Sequence, residues 1–414
     1  MQRRTFLKAC AAVGLSLSTT TLVSRDAEAA YEGNVYIFVN ARGGWCATSI
    51  MDPKGNVEGV DAYATDTIGM IAGSPIQYAP MPGMQAFFET HARRMLVFNG
   101  IDYETNGHET GQRVAFTGKI QAGNPALPAL IAAKTGPALP LAFITNGGQD
   151  NTEGIIAATR ADNVDIIPKI AYSNRLEPGN EQGFHSASVM EKIRKAADER
   201  LVLLKNRSKL SKVRNNIGML ETSRLGESEL KDVIQYLDNN AGNGIAGQAN
   251  VALAAFSAGL GVSATVQMGG FDTHGDHDNR AGANNQRLVE GISAIWTQAE
   301  QLGVADKLIM VVGSDFSRTP GYNGTNGKDH WPIGSMMILT EPGKGIPVNQ
   351  VIGATDGRTR PMTINPQTLA LDENGVRLKL AHIHGALREF AGIKRDSFSL
   401  QFPLDENALP ILNQ

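Results

Sequence analysis

Six of the eight histidines fall in short polar stretches that mix imidazole with carboxylate or hydroxyl groups. The densest runs from Gly269 to Asp278 and carries Asp272, His274, Asp276, His277 and Asp278. Interleaved carboxylates and imidazoles of this kind supply two or three ligands to one divalent ion. Taken alone, the same loop is also an ordinary solvated turn. A second stretch, Gly313 to Pro320, offers Asp315 as a ligand or orienting carboxylate and Arg318 as an anion holder. A structural Asp–Arg pair is the plainer alternative. A third, Gly327-Lys328-Asp329-His330-Trp331-Pro332, sets an acid beside an imidazole in an irregular loop. There both side chains can turn toward one ion, which the alternation of a regular strand forbids. Thr105-Asn106-Gly107-His108-Glu109-Thr110 puts a hydroxyl and an imidazole near a helix start, where backbone N–H groups favour an anion. His382 and His384 open the last helix and by themselves are polar or capping residues. Only His91 and His185 lie outside these stretches. Their concentration points to one shared polar site.

Such a site needs elements that bring distant stretches together. Asn34–Val39 is a β-branched and aromatic run ending in a glycine loop, and reads as a buried first strand. Further strands are expected at Met95–Phe98, Leu141–Ile144, Ser263–Met268, Lys307–Val312 and Ser335–Leu339. The run at Lys307–Val312 is continuously apolar, as in parallel strands covered on both faces. Helices are expected at Met84–Arg94, Ala249–Leu260, Asn285–Leu302 and Leu378–Phe390. Ser186–Leu237 is charge-rich with helical spacing, and predicts two or three exposed helices. The segment 186–240 reads as a cap over the core or as an outer layer. Ile346–Asp372 is rich in Pro, Gly and Thr and predicts loops or a short hairpin. Alternating strands and helices imply an α/β three-layer sandwich with a mostly parallel central sheet and a helical insertion. In such sheets ligands sit beyond the carboxyl ends of the strands, where most of the polar stretches fall.

Composition narrows the field. The chain has 414 residues, with 38 Lys+Arg against 41 Asp+Glu, so no basic excess marks nucleic acid as a partner. No run of about 18 apolar residues suggests a transmembrane span. Two cysteines cannot build a disulfide framework. The first residues follow another pattern. Arg3-Arg4-Thr5-Phe6-Leu7-Lys8 precedes a mildly apolar stretch, Ala9–Val23, and then Ala27-Glu28-Ala29. These features read in order as a twin-arginine export signal over residues 1–29 with an A-x-A cleavage site. The expected mature domain is 30–414, folded before export by the twin-arginine translocase and then periplasmic or extracellular.

At these residues the chain resembles a bacterial family of twin-arginine-exported proteins, domain of unknown function 1501, which is placed among alkaline-phosphatase-like and sulfatase-like folds. The matching stretches are Gly43-Gly44 with Asp52-Pro53-Lys54, His108 with Thr117-Gly118, and Gly270-Phe271-Asp272-Thr273-His274. They continue with Gly313 to Pro320, Asp329-His330-Trp331-Pro332, and His384 with Gly392, spanning Gly33 to Lys394. The resemblance implies one or two divalent ions (Zn, Mn, Ca or Mg) and a Thr or Ser nucleophile. It assigns Asp272 with His274 or His277, joined by His384, to one ion. Asp329 and His330 go to the second, and Asp315 joins the ligand set. Thr105 is the implied nucleophile with Thr110 as rival, beside His108, and Arg318 would contact non-bridging oxygens. Cys46 departs from the pattern, standing where the superfamily suggests an Asp. Asp315 and Ser317 stand where relatives often carry Glu and Gly.

Two functions follow. One is an exported metal-dependent hydrolase acting on phosphate or sulfate esters, in a small molecule or a polymer. The other is a non-catalytic exported binding protein on the same fold with a degenerate metal site. A thiol enzyme built on Cys46 has no Cys–His spacing in its favour.

Overall fold

The computed structural model describes residues 30–412 except Ala62, Asp162, Asn163, Asp165 and Pro178, and only the backbone of Ile166 and 222–228. The leader expected over residues 1–29 lies outside the described residues.

Eight strands form the central sheet: β1 Val35–Ala41, β2 Met95–Asp102, β3 Leu141–Thr145, β4 Ala158–Arg160, β5 Gly261–Met268, β6 Leu308–Ser314, β7 Ile333–Leu339 and β8 Gln350–Ile352. Their order is β8-β2-β7-β6-β1-β5-β3-β4. Every neighbouring pair is parallel except those made by β7, which runs antiparallel to both β2 and β6. The helices are α1 Met84–His91, α2 His108–Thr117, α3 Leu127–Thr135, α4 Ile166–Ala171, α5 Ala187–Arg207, α6 Ser211–Ile234, α7 Ile245–Ser257, α8 His277–Gln301, α9 Leu380–Phe390 and α10 Ser397–Gln401.

β1 shows why the chain folds in three layers. All seven of its residues are buried, and they alternate between two cores. Val35, Ile37 and Val39 pack with the apolar stripes of α1, α7 and α8. Tyr36 and Phe38 pack on the opposite face with α2, α3 and α9. A strand covered on both faces can be apolar at nearly every position, which is what its sequence shows apart from Asn40.

Most expected elements are present with shifted ends. α8 begins at His277 instead of Asn285, so the end of the histidine-rich loop is a helical first turn. The helix start expected at Thr105–Thr110 is present, and α2 begins there at His108. α3 has no counterpart among the expected elements, because it is buried over nearly its whole surface and has no one-sided apolar stripe. The Pro/Gly/Thr-rich segment is mostly loop, with isolated antiparallel bridges Thr355–Pro361 and Ile364–Leu371, and it also contributes β8, a parallel edge strand on β2. The segment 186–240 contains two helices, α5 and α6, and α6 rests on α4 and α7.

The antiparallel β7 matters for function. It enters the sheet at the edge where its parallel neighbours leave it. The chain just before it, Asp329-His330-Trp331, therefore lies beside the loops that follow β1, β5 and β6. His330-Trp331 pairs with Ser317-Arg318 of the post-β6 loop in a short antiparallel ribbon.

Candidate metal centre

The loops beyond β1, β5 and β6 can meet only if their backbones come close. Gly43 sits at φ +114°, and a Cβ there would stand 2.5 Å from the backbone nitrogen of Asp272. Only glycine takes that conformation and leaves that gap. Gly111, inside α2, plays the same part on the other side: a Cβ there would lie 2.3 Å from the Asp315 carbonyl. It lets the first turn of α2 approach the post-β6 loop and brings His108 to the site.

Asp272 is the hub. Its Oδ1 lies 3.5 Å from His108 Nε2, 3.2 Å from His330 Nε2 and 3.0 Å from His274 Nε2. Arg318 Nη2 donates to the same oxygen at 2.6 Å. Burial alone would raise the Asp272 carboxyl, but Arg318, followed by His330 and His108, holds it below the ordinary value. His108, Asp272 and His330 each bring one ligand atom, and the three atoms lie within 4.8 Å of one another.

The outer partners set which ring nitrogen is free. His108 Nδ1 faces the fully buried Asp315 carboxylate at 2.8 Å, and that oxygen also accepts from the Gly43 amide at 3.0 Å. His330 Nδ1 lies 2.7 Å from the Asn106 carbonyl. His274 Nδ1 lies 2.9 Å from Asp329 Oδ1, which also accepts from Asn323 at 3.0 Å. A carbonyl or carboxylate only accepts, so each Nδ1 carries a proton, and the three Nε2 atoms converge on one carboxylate. His274 Nε2 and His330 Nε2 are only 3.0 Å apart, and His108 Nε2 is buried without a hydrogen-bond partner. Lone pairs at that spacing repel unless a cation or proton lies between them. Ligands of a tetrahedral zinc ion stand about 3.3 Å apart, given Zn–N bonds of 2.0–2.1 Å. The donor set therefore fits a divalent cation, and the outer hydrogen bonds are of the kind that orient metal-bound histidines.

The remaining expected site residues stand elsewhere. His277 Nδ1 meets Thr273 Oγ1 at 2.7 Å and its Nε2 faces Ser49 Oγ at 3.4 Å, so it turns inward, away from Asp272. The start of α8 at His277 explains this, because the helix carries the ring into the core. His384 is buried on α9 with Nε2 on the Ala115 carbonyl at 2.9 Å, so it joins no ion with Asp272. Burial lowers its pKa to about 4 and keeps it neutral. Thr105 Oγ1 accepts from the Gly107 amide at 3.2 Å in a local turn, and no contact ties it to the cluster among the described residues. Arg318 is fully buried, with Nε on Gly44 O, Nη1 on Lys328 O and Nη2 on Gly43 O and Asp272. It builds the floor of the site and has no face open to a substrate anion. The two ion sites expected from the resemblance are replaced by a single convergent group among the described residues, with Asp329 acting through His274.

Cys46 belongs to a second cluster that its sequence neighbours do not reveal. Its buried thiol lies 3.2 Å from Thr48 Oγ1 and 3.8 Å from Lys328 Nζ. The Lys328 ammonium donates to Asp61 at 2.8 Å, and both side chains are almost wholly buried. Tyr322 lies under the same ammonium, 4.9 Å from ring centroid to Nζ. Burial alone would raise the thiol, but Lys328 and His277 pull it well below its ordinary value. Burial alone would discharge Lys328, but Cys46 and Asp61 offset it and keep the ammonium charged. A lysine cation thus occupies the space onto which Cys46 and Asp61 converge.

With the geometry in place, the likeness to other proteins is informative. A family described as "Protein of unknown function (DUF1501)" matches residues 148–370, a span that holds Asp272, His274, Asp315, Arg318, Asp329 and His330 but not His108. None of the curated proteins matches the chain. Among solved structures, Ps i-CgsB is similar at 9% identity, covering 92% of this chain and 76% of that one, with a TM-score of 0.43. The PsFucS1 sulfatase from Pseudoalteromonas sp. is similar at 10% identity over 87% and 68%, TM-score 0.38. The lipoteichoic acid synthase LtaP from Listeria monocytogenes is similar at 9% over 89% and 74%, TM-score 0.37.

Proposed function

The chain belongs to the DUF1501 family, and from that premise we propose that it is a metal-dependent hydrolase of phosphate or sulfate esters, with His108, Asp272 and His330 holding the ion. The observation that carries this is the convergence of imidazole Nε2 atoms on Asp272, each ring fixed from behind by an acceptor at Nδ1. A bound divalent ion would polarise an ester oxygen and lower the pKa of a hydroxyl or water. Two imidazoles beside one carboxylate suit zinc better than calcium or magnesium.

The chain's own residues divide the remaining work. Asp315 and the Asn106 carbonyl hold the rings of His108 and His330. Asp329 holds the Nδ1 proton of His274, leaving its Nε2 as the group that accepts a proton. Asp329 suits that task because Asn323 first, then His274, keep its carboxyl below the ordinary range. Arg318 fixes Asp272 and the glycine loop. Export over residues 1–29 by the twin-arginine translocase, to the periplasm or beyond, is part of this reading. No helix of the described residues is long and apolar enough to cross a membrane.

The test is metal analysis of protein isolated from its export compartment, with turnover of aryl phosphates and aryl sulfates. Bound ion and ester hydrolysis, both lost in Asp272→Ala, support the proposal. Protein that takes up no ion when zinc or manganese is supplied, or hydrolysis indifferent to Asp272→Ala, overturns it. The second reading, a non-catalytic exported protein that binds a ligand through the same ion, is favoured by the burial of Arg318 and the position of Thr105. It predicts bound metal with no turnover on any ester.

A further inference from the structure

The α5–α6 hairpin leaves α5 without a partner along one side. Its inward residues, around Leu201, face α6, and Lys205 pairs with Glu221 there at 2.6 Å. On its open side a groove of about 1000 Å³ runs along the helix, lined by residues that include Met190, Arg194, Lys195, Asp198, Glu199 and Leu203. On this face Val202 is 42% and Leu203 55% exposed.

The order of charges says what fits. Reading outward from Ala196-Ala197, one turn carries Arg194 and Lys195, and the turn on the other side carries Asp198 and Glu199. One step further out, Met190 and Glu191 stand at one end and Val202 and Leu203 at the other. A second α5 laid antiparallel about a two-fold axis between the two alanines meets its own complement. The basic turn faces the acidic turn twice, Arg194 opposite Glu199 and Lys195 opposite Asp198, and Met190 faces Leu203. None of Arg194, Lys195, Asp198 and Glu199 makes an ion pair among the described residues. We propose that this face of α5 is a homodimer interface, its occupant a second copy of the same helix in antiparallel register.

The test uses the full mature chain in three forms: wild type, an acidic form carrying Arg194→Glu and Lys195→Glu, and a basic form carrying Asp198→Lys and Glu199→Lys. Mass is read by sedimentation or light scattering, and folding is checked by circular dichroism. Wild type is expected as a dimer and each variant alone as a folded monomer. The two variants mixed are expected to recover a 1:1 dimer, because every acidic turn then meets a basic one. Pairs within one helix cannot produce that recovery. A monomeric wild type, variants that stay dimeric, or a mixture that stays monomeric each overturns the proposal, as does a different protein found stoichiometrically on α5 in place of the second copy.

Discussion

Lys328 and His330 are two residues apart and serve two clusters built from the same kinds of side chain. His330 turns to the open cluster with His108, Asp272 and His274, where side chains are roughly a quarter to a half exposed. Lys328 turns to the closed cluster with Cys46 and Asp61, where they are almost fully buried. The open cluster gathers imidazole nitrogens around Asp272, with the Arg318 guanidinium beneath it. The closed one holds the Lys328 ammonium between Cys46 and Asp61. Under the proposed function the first binds an ion and the second is a structural ion pair, and the difference is exposure and where the protein's own cation stands.

The sharpest way to break this contrast exchanges the two losses. Lys328→Met leaves Asp61 buried without its partner and is expected to cost about 3–5 kcal/mol of stability in chemical denaturation, with metal content of the folded fraction unchanged. His330→Ala is expected to do the reverse, removing bound metal while leaving the unfolding midpoint nearly unmoved. If Lys328→Met strips the metal and leaves stability alone, the assignment of the two clusters is wrong.

Acid separates the buried histidines from the open ones. His384 has a folded pKa of about 4, below the ordinary value of 6.5. Above pH 6.5 neither state binds the extra proton and the group costs nothing. As pH falls toward 4 the unfolded chain takes up a proton that the folded one refuses, so stability declines by about 3 kcal/mol over that window. His384→Gln is expected to flatten the decline in a pH series of denaturation curves. An unchanged slope would place its source elsewhere, for example at the similarly lowered His91.

A smaller change tests the support behind the open cluster. Asp329→Asn keeps the shape but weakens the hold on His274, and Asp315→Asn does the same to His108. Asp315→Asn is expected to lower metal affinity about 10–100-fold in a chelator competition, as removal of an orienting hydrogen bond does at other metal-bound histidines, and Asp329→Asn to lower ester turnover with metal retained. The smallest effect is expected at Thr105→Ala, where hydrolysis and metal content should move by about twofold or less, in line with a surface substitution. A large loss of turnover with metal retained would return Thr105 to the role of nucleophile.

Much of this was legible in the residues alone. The glycine-ended strands, the mostly parallel sheet and the gathering of histidine-bearing polar loops beyond strand ends follow from local pattern, because strand period and loop composition are local properties. Asp329 and Arg318 were legible as site residues, though not in their actual roles. The fates of His277 and His384 were not. Both sit in stretches as polar as the others, but a helix that starts eight residues earlier than expected turns one inward, and α9 packing against α2 seals off the other.

By itself, then, the sequence determined which residue types would meet at the carboxyl edge of the sheet and that few other places in the chain offered such chemistry. Only the tertiary structure decided which of them share an ion. That choice depends on side-chain direction and on whether a cation of the protein's own is already present. Both are set by contacts between residues hundreds of positions apart, such as the 2.8 Å bond from Lys328 to Asp61 and the 2.8 Å bond from His108 to Asp315. No spacing along the chain encodes them.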